Sequence, residues 1–118
     1  MVNRPKNKGT AYETRKKNQW KSVFPKLTRA SNNLKSWDLA GAPFPIECKH
    51  RKVWAIPEWT RALRGVAPGV GWMLLVAPGD GRKTEAPPEV CVMPMEMALM
   101  ICQVAFDHEP NLLKDALG

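Results

Sequence analysis

The sequence predicts an α/β fold, a mixed central sheet flanked by helices, from three observations. Its segments alternate in period, giving the order helix, three strands, helix, two strands, helix. One segment, Trp72 to Ala77, is apolar throughout, as in a strand covered on both faces. And 118 residues, 44% hydrophobic and 25% charged, suffice for one core and are too few for two ordinary domains. Residues 1–7 lack periodicity and read as a basic arm, residues 8–106 as the single domain, and residues 107–118 as a tail.

Thr10 to Phe24 reads as the first helix. Thr10 is placed as N-cap with Glu13 completing a capping box, the apolar stripe is narrow, and Pro25 ends the helix. Lys26 to Ala30 is predicted as a strand and Ser31 to Lys35 as a polar loop. Ser36–Ala40 and Pro45–His50 read as two strands joined through Gly41, Ala42 and Pro43. Pro57 opens a helix to Arg64 with Trp59 and Leu63 on one face. A Gly/Pro loop from Gly65 to Gly71 precedes the Trp72 strand, expected in the centre of the sheet. Pro78–Arg82 is a turn, Lys83–Pro88 a loop and Val90–Met93 a short strand. Pro94 opens a helix to Phe106 that is apolar on nearly every side, the pattern of a deeply buried helix or a subunit interface.

Charge is distributed unevenly. Residues 1–35 carry +9, residues 36–64 carry +2 and residues 65–118 carry −4, within a net +7. A one-sided basic surface suits a polyanion, of which nucleic acid is the commonest; a solvated basic tail is the plainer alternative. The longest apolar run is far short of the roughly 20 residues that span a bilayer, and no apolar stretch follows the basic N-terminus as in a secretory signal. Cys48, Cys91 and Cys102 form no CxxC pair and read as reduced thiols of a cytoplasmic protein.

The chemistry concentrates in "SWDLAGAPFPIECKHR", Ser36 to Arg51. Residues two apart in a strand share a face, so Glu47 and Lys49 point together while Ile46 and Cys48 point into the core. Pairing of the two strands as a hairpin sets Asp38 beside Glu47. Adjacent carboxylates repel and raise one another's pKa, an arrangement that a hard divalent cation such as Mg²⁺ resolves. Lys49 would then orient water or offset charge growing on a phosphate. The plainer reading is a surface Glu47–Lys49 ion pair with Asp38 solvated. The apolar hairpin and the basic flanks favour the first.

Asp38 followed by Glu47-Cys48-Lys49 resembles the D…(D/E)-x-K signature of the restriction-endonuclease-like nucleases. "KGTAYETR" (Lys8–Arg15), "TRAS", "WDLAG" and "PIECKHR" are, in order and spacing, similar to Holliday junction resolvases of the archaeal and phage type, over about Lys8 to Trp54. The resemblance implies a restriction-endonuclease-like, two-layer α/β core. It implies a homodimer cutting four-way DNA junctions with Mg²⁺, or Mn²⁺ in its place, in the cytoplasm of a bacterial or phage-infected cell. It further implies that Glu13, Asp38 and Glu47 hold metal, that Lys49 is the catalytic base or charge stabiliser, that Ser31 is a loop serine near the scissile phosphate, and that Arg29 contacts phosphate. Two positions depart from the pattern. Trp37 replaces the usual Pro, and the loop after Ser31 has no Gly, leaving Ser36 as a rival. Lys8, Arg15, Lys16, Arg51, Arg61 and Arg64 complete the expected DNA contacts. Trp54 and Trp59 are read first as packing residues and second as stacking platforms for bases.

Other signatures fail. Cys48-x-His50 has no second pair at zinc-finger spacing, so it reads as a core thiol and a surface His. "APGDGRKT" lacks the glycines of a Walker A loop, and no G-x-S-x-G accompanies the two histidines. The alternatives kept are a nuclease of the same fold acting on flaps, ends or duplex, and a non-catalytic basic DNA-binding protein.

Overall fold

A computed structural model describes residues 4–30, 37–66, 69, 71–79 and 88–117. The elements are α1 (Arg4–Trp20), β1 (Thr28–Arg29), β2 (Leu39–Ala40), β3 (Ile46–Arg51), α2 (Ile56–Val66), β4 (Met73–Pro78), β5 (Val90–Val92), α3 (Met95–His108) and α4 (Pro110–Leu117). The sheet runs β1-β2-β3-β4-β5. Its pairs are antiparallel except β3–β4, which α2 connects as a parallel crossover. The α/β class with a mixed sheet is therefore as the sequence predicts.

Helix α1 begins six residues before the expected cap. Pro5 lies in its first turn, where a missing N–H costs nothing and the fixed φ suits a helix. Thr10 is thus inside the helix and Glu13 is released from the capping box. The helix closes at Trp20, whose ring stacks on Phe24 at 6.4 Å, and Phe24 meets Phe44 edge-on at 5.6 Å. These contacts fix the exit of α1 over the β2–β3 link.

Strand β2 is shorter than the predicted Ser36–Ala40, but Asp38 continues the ladder on both sides. Its N–H donates to the Ile46 carbonyl at 3.1 Å, and its own carbonyl accepts the Ala30 N–H at 2.8 Å. The turn after β2 needs Gly41. Its φ is +102°, and a Cβ there would collide with the Lys26 carbonyl.

The sheet is covered on both faces, so the two-layer expectation is corrected. One apolar cluster joins Tyr12 of α1 to Leu27, Leu39, Ile46, Cys48, Met73, Leu75 and Ala77. The other joins Leu63 of α2 to Trp72, Leu74 and Val76, with Trp54, Ile56 and Trp59 against it. Alternate residues of β4 feed the two clusters, which is why that strand has no polar face. It is interior to the sheet, next to the middle strand β3.

Helix α3 departs most from expectation. Only Met97 is buried; the rest of its large apolar side chains lie open, which rules out deep burial within this chain. The expected tail contains α4. No helix among the described residues is long and apolar enough to cross a membrane.

Candidate active site

The site is built on β2 and β3. The pairing Leu39↔Ile46 sets Asp38 across from Glu47, and directly opposed residues of an antiparallel pair point to one face. Lys49, two positions on, shares that face. In the parallel register Glu47 lies beside Leu74 and Lys49 beside Val76, on the side of the sheet that α2 covers. The hairpin geometry expected for these three residues is therefore present.

Asp38 is fixed by the backbone. Its Oδ2 accepts the Cys48 N–H at 2.8 Å, a charge-assisted bond across the hairpin. Glu47 is half-buried, and its Oε2 lies 3.6 Å from Lys49 Nζ. Burial, then the hydrogen bond and charge of Asp38, push the Glu47 carboxyl up to about 8, against the opposing pull of Lys49. The Lys49 ammonium also stands 5.6 Å from the centre of the Trp59 ring, a cation–π contact from α2 that confines its swing.

Glu13 joins from α1. Its Oε1 accepts from Arg29 Nε at 3.1 Å. Burial and the neighbouring Asp38 raise its pKa, and Arg29 opposes the rise. Glu13 and Glu47 thus both meet Asp38, bringing three carboxylates from three elements together. Beneath them the Cys48 thiol is pushed up by burial and by the charges of Asp38, Glu13 and Glu47, so it is an inert core thiol.

Three oxygen-donor side chains crowded into a half-buried space, offset by Lys49 and Arg29, suit a hard divalent cation. The Glu47 carboxyl, raised to about 8, holds its proton in competition with any cation. Among the described residues no three His, Cys, Asp or Glu side chains form a finished ligand cage, so the carboxylates would have to turn inward to hold one.

The remaining candidates are scattered. Ser31 and its rival Ser36 lie outside the described residues, and Lys8 lies within α1, its side chain outside the described part. Arg15, Arg51, Arg61 and Arg64 are exposed. Arg15 lies 5.7 Å from the Tyr12 ring, and Arg61 and Arg64, three apart on α2, share one side of that helix. Arg29 is held by Glu13. Lys16 is corrected: it is buried, ion-paired with Glu89, and bonded to Gln19 Oε1 at 2.7 Å, so it is withdrawn from any DNA-facing surface. His50, expected at the surface, is half-buried with its ring 5.2 Å from Tyr12.

Sequence reasoning missed two features. Glu89 accepts from both Lys16 and the Tyr12 hydroxyl, the latter at 3.2 Å, and no local signal announces a partner more than 70 positions away. Trp59 was legible as a packing residue of α2, but its ring against Lys49 was not. A cleft of about 180 Å³ between α1 and β5 is lined by Lys16, Trp20, Glu89 and Cys91 among others, and by none of Glu13, Asp38 and Glu47. Its charged side chains satisfy one another. No family model, curated protein or solved structure matches this chain.

Proposed function

We propose that this protein is a divalent-cation-dependent DNA endonuclease with a restriction-endonuclease-like core, and that its substrate is a four-way DNA junction. The observation that carries the reading is the Asp38–Glu47 carboxylate pair. It is held face to face across a hairpin, with Lys49 3.6 Å from Glu47 and Glu13 reaching the same point from α1. Carboxylates crowded together in a half-buried space destabilise a fold, and such clusters are found preferentially at functional sites.

Asp38, Glu47 and Glu13 are the residues that would hold Mg²⁺ or Mn²⁺. When bound, the ion neutralises phosphodiester charge and makes water a nucleophile near neutral pH. Asp38 supplies a fixed oxygen, because the Cys48 N–H anchors its other side of the carboxylate. Glu47 would have to release its proton to hold the ion. Lys49, confined by Trp59, presents an ammonium to the charge that develops on the phosphate or orients the attacking water. Arg29 orients Glu13 and remains close enough to meet a phosphate. Exposed Arg51, Arg61 and Arg64, together with the strongly basic N-terminal third, would track DNA backbones with steep salt dependence.

A non-catalytic reading has one observation in its favour. Asp38 and Glu47 already have structural partners in the Cys48 N–H and Lys49. The test is cleavage of a synthetic four-way junction beside flap, linear duplex and single strand of the same sequence, in Mg²⁺ and in EDTA, for wild type and Lys49→Ala. Paired symmetric nicks in the junction alone, absent in EDTA and in Lys49→Ala with binding retained, are expected. Equal cutting of flap or duplex would keep the nuclease and discard the junction. Binding without cleavage of any substrate would assign the protein to the non-catalytic class.

A further inference from the structure

The cleft between α1 and β5 takes no part in the carboxylate site, and its walls are chemically mixed. Its floor is Leu75 of β4, with Cys91 of β5 beside it in the antiparallel register. One wall is the last turn of α1. Lys16, Gln19 and Trp20 stand three and four positions apart there, so they share one face of the helix. Cys91 is exposed and β5 is an edge strand, so the cleft opens to solvent. Its volume, about 180 Å³, falls below the roughly 300–1,000 Å³ of sites that enclose drug-sized ligands and suits one planar ring system.

The lining supplies a platform and a polar anchor. The Trp20 ring is half-buried and braced by Phe24, which stacks on it at 6.4 Å and itself meets Phe44 at 5.6 Å. A ring held this way loses little freedom when another ring stacks on it. Glu89 is anchored from within, because Lys16 and the Tyr12 hydroxyl both donate to the same oxygen, Oε1. The Lys16 side chain is only 9% exposed, whereas that of Glu89 is 50% exposed. Glu89 is therefore a fixed carboxylate that can still accept from a ligand, since an ionised carboxylate has about four lone-pair sites. Gln19, exposed at the rim, adds an amide that both donates and accepts. A planar ring that carries an amine is the complement.

Charge narrows what carries that ring. The ridge of α1 that lines the cleft runs between cationic ridges, Arg15 on one side and Lys17 and Lys21 on the other. Lys21 continues the helix, its N–H donating to the Lys17 carbonyl at 3.0 Å. An amine-bearing ring on a polyanionic strand is a nucleobase that has left its stack. We propose that the α1–β5 cleft holds one unpaired, amine-bearing base of DNA, stacked on Trp20 and hydrogen-bonded to Glu89, while Arg15, Lys17 and Lys21 hold the flanking phosphates. Thymine, which has no amine, fits worst. The inference rests on the DNA-binding part of the proposed function and not on cleavage, and the base held here is not at the bond being cut.

The test is equilibrium binding, in EDTA, to a duplex with one extra unpaired cytosine and to the same duplex with an abasic residue in its place. The ratio of the two affinities isolates the base from the grip on the backbone. Wild type is expected to prefer the cytosine by about tenfold, the scale of one stacked base, and to bind an extra thymine several-fold less tightly than cytosine. Trp20→Leu is expected to bring the ratio near one with the abasic affinity unchanged, and Trp20→Phe, which keeps a ring, to retain most of the preference. Cys91→Ile narrows the cleft from its exposed edge and is expected to lower the ratio in the same way. It decides the matter should Trp20→Leu lose abasic binding along with its fold. Equal affinity of wild type for the cytosine and abasic duplexes overturns the inference and leaves the nuclease reading standing. A preference that both substitutions leave intact, or thymine bound as tightly as cytosine, does the same. No binding to any DNA overturns both. Free deoxycytidine monophosphate bound more tightly than the bulged duplex would make the ligand a nucleotide and also overturn the inference.

Discussion

Glu47→Gln is expected to stabilise the protein in EDTA at alkaline pH while abolishing cleavage. The folded chain holds the Glu47 proton more tightly than the unfolded chain, with the pKa raised from its ordinary 4.5 to about 8. Its contribution is therefore fully present below pH 4.5 and lost as pH rises through 8. Ionising Glu47 in the folded state costs about 5 kcal/mol more than in the unfolded state. Gln keeps the shape and a hydrogen bond to Asp38 without the charge; the pull of Lys49 is already contained in the value of about 8, and partial exposure screens part of the cost. The net expected gain is about 2–4 kcal/mol at pH 8.5, shrinking to about 1 kcal/mol or less by pH 4.5.

The assay is urea denaturation of both proteins from pH 4.5 to 9 in EDTA, with midpoints compared at equal slope. Repeating it with Mg²⁺ adds a second reading. A cation at ten times its dissociation constant stabilises by about 1.4 kcal/mol, and only the protein with three carboxylates should show most of that gain. If Glu47→Gln is instead less stable than wild type by a constant amount across the range, Glu47 is half of an ordinary salt bridge. The crowding of the carboxylates would then carry no energetic weight.

Two further substitutions probe what holds the site in place. Gly41→Ala should cost about 2–3 kcal/mol in thermal or urea unfolding, because a Cβ at positive φ also meets the Lys26 carbonyl. A loss under about 0.5 kcal/mol would mean that the β2–β3 link does not need this turn. Glu89→Gln should cost about 1–3 kcal/mol at pH 7 by leaving buried Lys16 without its counter-charge, a value discounted because Glu89 is half-exposed. Burial raises the Glu89 carboxyl, but the hydrogen bond and charge of Lys16 outweigh it, so the group titrates below its ordinary value. The difference between wild type and Glu89→Gln should therefore vanish as pH falls through that lowered value, and a difference that persists in acid would refute the ion pair as its source.

What was legible in the sequence was local. The period-two alternation of Ile46-Glu47-Cys48-Lys49 fixed which side chains share a face. The Gly/Pro link fixed that Asp38 returns to meet Glu47, and the apolar run at Trp72–Ala77 marked a strand covered on both sides. Each is a property of consecutive residues that tertiary packing has little freedom to change. The misreadings depend on distant partners. Lys16 looks like any basic residue of a polar helix until Glu89 arrives beside it on the chain leading into β5. Thr10 looks like a cap only if Pro5 is not counted as a helix start. α3 reads as interior by composition and lies on the surface by position. The Asp38–Lys49 hairpin is legible in a stretch of consecutive residues, whereas the exposure of α3 is set by the packing of a whole surface. The carboxylate cluster stands between these cases. Asp38, Glu47 and Lys49 were brought together by one hairpin and could be read. The arrival of Glu13 beside Asp38 depends on α1 packing against β3, a contact between elements distant in the chain.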